Sequence, residues 1–266
     1  MISVRTVRPE DRHRFVDGIR ALESGAVYPL GDDHFRIDHG EDYFAFFDRL
    51  GALRFEVALD AGEVVACAAG ILRDVPIGDG AQRCWYLCDL KVRPDYRGRR
   101  IPFRMLLSAF PSGYAACSRG YGISMNSAGD AENRVARMVK RFRLVPIEVD
   151  GPLQLYALTE GEMRRFRPRI EAELGPITFL SLGGVKDIVL ESSGAPMPLL
   201  HVQHGPCAAV GLDEPQPGHQ HMFCIPAGSP LAEEMKHAHI AINSTATVVS
   251  HGMRGADWRF VLTSDI

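Results

Sequence analysis

The chain has 266 residues, is 46% hydrophobic and 24% charged, and carries a net charge of -3. This balance predicts an ordinary packed core and argues against a general nucleic-acid binder, which needs a basic surface. The longest apolar run, residues 64–72, is far too short to span a bilayer. The opening run MISVRTVRPEDRH lacks the apolar centre of a signal peptide, and the six cysteines form no CxxC pair. Cys84 and Cys88 share one face of a predicted strand, which does not favour a cross-link. A reduced, cytoplasmic protein with neither nucleic acid nor membrane as partner is expected.

Residues 2–7 alternate like a short strand. Pro9, Glu10 and Asp11 then supply helix-start chemistry for a helix to about residue 22. Residues 28–40 read as a polar, turn-rich segment, and 41–50 as a helix. Residues 55–59 and 64–72 form a hairpin around Asp60, Ala61 and Gly62. A loop over 76–80 precedes a strand over 84–92. The next helix places Phe103, Leu106, Leu107 and Phe110 on one stripe and ends at Pro111. A short strand follows over 122–126. A helix over 131–142 sets Val135, Met138, Val139 and Phe142 on one face, with Asp130 as N-cap. Strands over 145–149 and 153–158 close this region. A charged helix over 162–173 carries Arg164, Arg165, Arg167 and Arg169. Beyond Gly175, strands are expected over 177–182, 187–191, 199–203, 208–212, 245–250 and 258–263, with a short helix over 230–239.

The most informative stretch is 85–110, a strand, a basic turn and a helix. A helix N-terminus leaves its first amides unpaired and carries partial positive charge, so it suits a phosphate. Arg97, Arg99 and Arg100 stand at that terminus. A pyrophosphate-bearing ligand is the functional reading, and a solvated surface turn is the bland one.

The run Leu87-Cys88-Asp89-Leu90-Lys91-Val92-Arg93-Pro94-Asp95-Tyr96-Arg97-Gly98 resembles motif A of the GNAT superfamily of acyl-CoA-dependent N-acyltransferases. In that family a strand of the type LEDLxVxPxYRG runs into Q/R-x-x-G-x-G/A and a helix. Arg97 falls on the Q/R position, while the two glycine positions hold Arg100 and Pro102. Arg100 adds bulk and Pro102 removes an N–H, although proline is tolerated in a first helical turn. The expected pocket is modified, with arginine charge offsetting the lost amide.

The element order over 1–158 is that of a complete GNAT domain. The resemblance implies an α/β (α+β) fold for that region, a mixed, mostly antiparallel sheet flanked by helices; the elements beyond Gly175 read separately as a smaller C-terminal α+β unit that resembles nothing recognised. Expected domains are 1–160 for acyl-CoA binding, 161–174 as a connecting helix, and 175–266 as a small unit that covers the acceptor cleft or forms a homodimer interface. The implied co-substrate is acetyl-CoA or another acyl-CoA. The backbone of Leu90, Lys91 and Val92 would pair with the pantetheine like an added strand, and an N–H near Leu90 would hold the oxyanion. Arg97, Gly98, Arg99, Arg100 and Ile101 would face the diphosphate. Asn126 and Asn133 would bond the pantetheine arm or a water, though helix-start and turn roles explain Asn133 nearly as well. The implied acceptor is a small amine or amino-acid-like molecule that attacks directly, without an acyl-enzyme. Asp89, beside the acyl site, is the candidate general base, set against a capping or salt-bridged strand residue. Asp32, Asp33 and Glu41 lie where relatives carry acceptor loops.

A second family landmark, N-x-x-A-x-x-L-Y-x-x-x-G-F, meets Asn133 to Leu144. Asn133 and Ala136 match, Met138 replaces the leucine, and the tyrosine position is Val139. In many relatives that tyrosine protonates the departing thiolate. Tyr121, Tyr156 and Ser127 are substitutes without a motif behind them. A thiol of pKa about 8.5 is already a fair leaving group, and general-acid help contributes only about 10²–10⁴-fold. Cys88 as a nucleophile has no histidine nearby in sequence. Two functions follow: an N-acyltransferase, or a non-catalytic acyl-CoA-binding regulatory module with a degenerate site. The histidines His201, His204, His219, His221, His237, His239 and His251 fit no standard zinc spacing, so no metal is expected.

Overall fold

The computed structural model describes residues 1–78, 80–127, 133–142 and 145–266. In chain order, β1 (Ser3–Val7) leads to α1 (Arg12–Glu23), then β2 (Tyr28–Leu30) and β3 (Asp33–Asp38), and the single turn α2 (Ala45–Asp48). The long strands β4 (Ala52–Asp60), β5 (Glu63–Ile77) and β6 (Gly80–Val92) follow, then α3 (Ile101–Ala116), β7 (Gly120–Met125), α4 (Arg134–Val139) and β8 (Glu148–Leu158). The remainder is α5 (Glu160–Leu174), β9 (Ile177–Leu180), β10 (Asp187–Leu190), β11 (Leu199–His204), β12 (Gln220–Pro226), α6 (Pro230–His237) and β13 (Ser244–His251).

Ten of these strands form one sheet in the order β1-β4-β5-β6-β7-β13-β8-β12-β11-β9, and β10, β3 and β2 form a small second sheet. Among the described residues only β6–β7 and β11–β12 pair in parallel, so the fold is mixed and mostly antiparallel, as expected. The sheet crosses the expected boundary at residue 160 without a break, because β13 lies between β7 and β8. Two layers of helix cover it. Phe15 and Ile19 of α1 pack with Val57, Cys67, Ala69 and Ile71 in one core, whereas Ile101 and Met105 of α3 pack with Ala58, Val65 and Ala66 in another. Alternation along β4 and β5 sends successive side chains to these two cores.

Several expected elements are corrected. Residues 28–40 are not a loop: β2 and β3 form a hairpin about Gly31, completed by β10. The helix expected over 41–50 is one turn. Tyr43, Phe44, Phe46 and Phe47 are nonetheless all buried. α3 continues through Pro111 to Ala116. Pro111 and Leu107 are exposed, so the Leu107 carbonyl that loses its partner is left to water. Asn133 caps α4 by accepting from the Val135 and Ala136 amides, and Asp130 lies outside the described residues. The two strands over 145–158 are the single strand β8, accommodated by a bulge against β13 near Thr247. Strand β12 had no alternating signal because both its faces are buried. The strands expected over 208–212 and 258–263 are instead 3-10 turns at Gly205–Ala209 and Trp258–Phe260 with irregular flanks. Among the described residues no helix is long and apolar enough to cross a membrane.

Candidate active site

Strands β6 and β7 pair only over Trp85–Leu87 and Gly120–Gly122, yet β6 runs on to Val92 and β7 to Met125. They therefore splay beyond Leu87 and open a gap in the sheet. A bulge lies at the splay: Cys67 faces Lys91 and Ala69 faces Cys88, leaving two residues of β6 opposite one of β5. Asp89 takes the left-handed conformation there, with φ of 56°, which aspartate tolerates better than most residues. The extra residue rephases the strand. Before it, the Trp85 amide points to β7 and bonds Arg119 O; after it, the Arg93 amide points to β5 and bonds Val65 O. By alternation the Leu90 and Val92 amides turn into the gap. The gap opens into a cavity of about 440 Å³ whose lining includes Leu87, Asp89, Leu90, Met125 and Val139.

The same rephasing sends Lys91 into the α1 side of the sheet, where a charged cluster is buried. Lys91 Nζ lies 2.7 Å from Glu23 Oε2 and in contact with Asp89 Oδ1. Tyr43 Oη lies 2.9 Å from Glu23 Oε2 and 2.8 Å from Asp89 Oδ2. The Lys91 and Asp89 side chains are only 7% and 4% exposed. Burial works against the Lys91 ammonium, but the Asp89 and Glu23 carboxylates outweigh it and hold its pKa well above the ordinary value. Burial raises the Glu23 carboxyl against the opposing pull of Lys91, and Asp89's charge adds to the rise. Burial also raises the Tyr43 phenol. His39 packs edge-on to Tyr43 with Nε2 3.6 Å from Glu23 Oε2, and burial lowers it to about 4, so it is neutral. Glu23 Oε1 has no hydrogen-bond partner among the described residues. Ligand atoms of Glu23, His39 and Asp89 lie within 4.8 Å of one another. The cation among them is the Lys91 ammonium.

At the far end of β6 the chain turns into α3. Gly98 has φ of 80° and Arg100 has φ of 58°. Arg100 thus keeps the left-handed backbone natural to glycine at a position where the motif has glycine, at a cost of about 1–2 kcal/mol. The amides of Gly98, Arg100 and Ile101 take no backbone partner among the described residues. Arg97, Arg99 and Arg100 are exposed. Arg97 Nε reaches back to Val92 O at 3.4 Å, and Arg99 stacks 4.3 Å over the Tyr96 ring. Ile101 is fully buried and contributes only its amide.

The expected pantetheine contacts of Asn126 and Asn133 meet a different arrangement. Asn133 Nδ2 donates to Ser124 O, Met125 O and Asn126 Oδ1, while its Oδ1 caps α4. Asn126 Nδ2 donates to Thr245 Oγ1, and its Oδ1 also accepts from Thr247. Both amides bind α4 and β13 to the end of β7, so they hold the gap open from its far wall. Val139 lines the cavity and brings no proton. Of the named substitutes, Tyr121 lines the cavity stacked 5.0 Å from Tyr86, Tyr156 lies in a separate core bonded to Gln154, and Ser127 is exposed. Burial raises the Cys88 thiol, as it should for an inert cysteine. His201 and His221 are buried and bonded to Thr263 and Leu158 O.

Four site residues escaped sequence reasoning. Glu23 looked like the frayed end of α1, Tyr43 like part of a helix, and Tyr28 and His39 like members of a loop. Tyr28 lines the cavity, and its phenol is raised to about 12, by burial first. No motif marks any of the four, because contacts between residues 16 apart (His39 and Glu23) to 68 apart (Lys91 and Glu23) bring them together.

Residues 23–118 match the sequence model of the Acetyltransferase (GNAT) family, the family that the 87–98 run resembles. The match begins at Glu23 and stops before α4, where the tyrosine position holds Val139. The chain is 24% identical over 238 residues to the protein "Uncharacterized protein L340" of Acanthamoeba polyphaga mimivirus, covering 85% of this chain and 68% of that one. Among solved structures it is similar to a putative acyl-CoA N-acyltransferase from Klebsiella pneumoniae, with 14% identity, TM-score 0.36, and coverage of 57% and 86% of the two chains. It is also similar to Arabidopsis thaliana Naa50 in complex with a bisubstrate analogue, with 17% identity, TM-score 0.38, and coverage of 57% and 87%.

Proposed function

We propose that this protein transfers an acyl group from acyl-CoA to an amine at the gap between β6 and β7. The observation that carries the reading is a continuous path: a strand edge with unpaired amides at Leu90 and Val92, leading to a turn with free amides at Gly98, Arg100 and Ile101. An extended, hydrogen-bonding arm ending in a diphosphate fits this path, the arm pairing like an added strand and the diphosphate meeting amides and the Arg97, Arg99 and Arg100 side chains. In this reading the Leu90 amide, turned into the gap, holds the oxyanion formed on the acyl carbonyl.

The carboxylate cluster supplies the proton chemistry. With Glu23 and Asp89 ionised and Lys91 charged, its net charge is −1, which draws an ammonium toward the gap. Asp89 is the cavity-lining carboxylate and receives the amine's proton, with Tyr43 bridging it to Glu23. A proton arriving on Asp89 Oδ2 passes to the Tyr43 oxygen as the Tyr43 hydroxyl proton passes to Glu23. Burial has brought the Glu23 carboxyl closer to the working pH, which favours it as the acceptor. The free amine then attacks the acyl carbon, the C–S bond breaks, and the thiolate leaves. Tyr28, whose phenol lines the cavity beside Asp89 and Lys91, is assigned as the donor to that thiolate in this reading, ahead of Tyr121, which is stacked on Tyr86.

Both Asp89 oxygens are already engaged, by Lys91 and Tyr43, and this favours the second reading, an acyl-CoA binder without turnover. A thermal-shift titration with acetyl-CoA and longer acyl-CoAs tests binding. Release of free CoA thiol over a panel of amines and amino acids tests transfer. Asp89→Asn and Tyr43→Phe should keep acyl-CoA binding while lowering turnover by about 10²-fold or more. Binding without thiol release for any acceptor would leave only the binder reading, and unchanged turnover in both variants would remove the relay.

A further inference from the structure

Lys186 lies in the turn between β9 and β10, its amide bonded to Leu182 O at 2.8 Å. That turn docks against Gly40, where a Cβ would fall 1.9 Å from Gly184 O. Only glycine lets the turn come this close to His39. Lys186 is 5% exposed and lines the same cavity as Asp89, its Nζ 4.7 Å over the Phe46 ring. The described residues give it neither an ion pair nor a hydrogen bond. Asp265, an acid whose charge reaches it, is taken by Arg73 Nη1 at 2.6 Å and Arg49 Nη2 at 3.4 Å.

A buried ammonium without an anion is unfavourable by several kcal/mol or more unless something completes it. Burial, then the Arg49 charge, lowers Lys186 to about 7, against Asp265, Cys88 and Glu23, which pull it upward. His39 and His201 also lie within reach of its charge. None of these groups bonds Lys186 Nζ among the described residues, so an anion that the cavity admits would hold its charged form. The opposite requirement holds at Asp89, where the cluster carries excess negative charge. The cavity lining therefore offers a carboxylate suited to an ammonium and an ammonium suited to an anion, with apolar Phe35, Ile37 and Phe46 beside them.

We propose that Lys186 binds a carboxylate of the acyl acceptor, so that the acceptor is an amino-acid-type molecule with its amine toward Asp89. The inference rests on reading the gap as an acyl-transfer site, but its test does not need turnover. Without any acyl donor, alanine, leucine and phenylalanine should raise Tm, whereas their carboxamides should not. Lys186→Met should abolish the rise and should itself fold, since it replaces an unpaired buried charge by an apolar chain of similar length. In turnover, the same change should raise KM for amino acids about 10- to 100-fold, the loss of one charged hydrogen bond, and leave KM for the carboxamides unchanged. Equal Tm shifts from acids and carboxamides in the native protein would overturn the proposal, as would a Lys186→Met variant that responds like the native protein. The carboxamide comparison uses the unaltered chain, so it decides the matter even if the variant unfolds. Failure to bind or turn over acyl-CoA would sink the transferase reading while leaving the Tm comparison readable.

Discussion

Replacing Lys91 by methionine keeps the length of the side chain and removes the one cation between two buried carboxylates. Lys91 Nζ is 2.7 Å from Glu23 Oε2. At an effective dielectric constant of about 20, that attraction alone is about 6 kcal/mol. Asp89 adds a second attraction of similar size, and relief of the ammonium's desolvation offsets much of the sum. The expected net loss is about 3–5 kcal/mol, the range for removing one partner of a buried ion pair. It should depend on pH. The folded-state pKa of Glu23 is already raised, so its protonated form is favoured in the folded chain. Such a group stabilises fully below its unfolded value of about 4.3, and the contribution is lost as pH rises through the folded value. Without Lys91 the folded value climbs further and that window widens. Urea denaturation at about pH 5 and about pH 8 should therefore show the larger loss at the higher pH. A loss under about 1 kcal/mol at both values would refute the view that Lys91 balances this cluster.

Two further outcomes follow from the walls of the gap. Arg100→Gly should leave stability unchanged or raise it by up to about 1 kcal/mol, since relief of the left-handed strain outweighs the added freedom of the unfolded chain. The same change should weaken acyl-CoA binding about 10-fold by isothermal titration, and undiminished affinity would show that the side chain does not meet the diphosphate. Asn133→Ala removes the cap of α4 and the tie to the end of β7, so thermal denaturation should register a loss of about 1–2 kcal/mol. A loss near zero would mean that the far wall is held by other contacts.

Local chemistry is legible in a linear sequence. The alternation of 55–72, the strand leading to Arg97-Gly98, and the helix after Pro102 are all readable, and with them the resemblance to the GNAT family and the expectation of a diphosphate beside that turn. Periodicity and turn preference depend on neighbours within a few residues, so one strand of text holds them. Other features were out of reach for the same reason. The bulge at Asp89 shifts the facing of every later residue in β6, and alternation counted along the sequence runs straight through it. Pairing of Lys91 with Glu23, the insertion of β13 between β7 and β8, and the docking of Lys186 beside His39 each join residues far apart in the chain. Such contacts are selected by burial and charge in the assembled core, where Tyr43, Glu23 and Asp89 had no alternative partners in water. The sequence alone therefore determined what kind of ligand path to look for, while the tertiary structure decided which charges guard it.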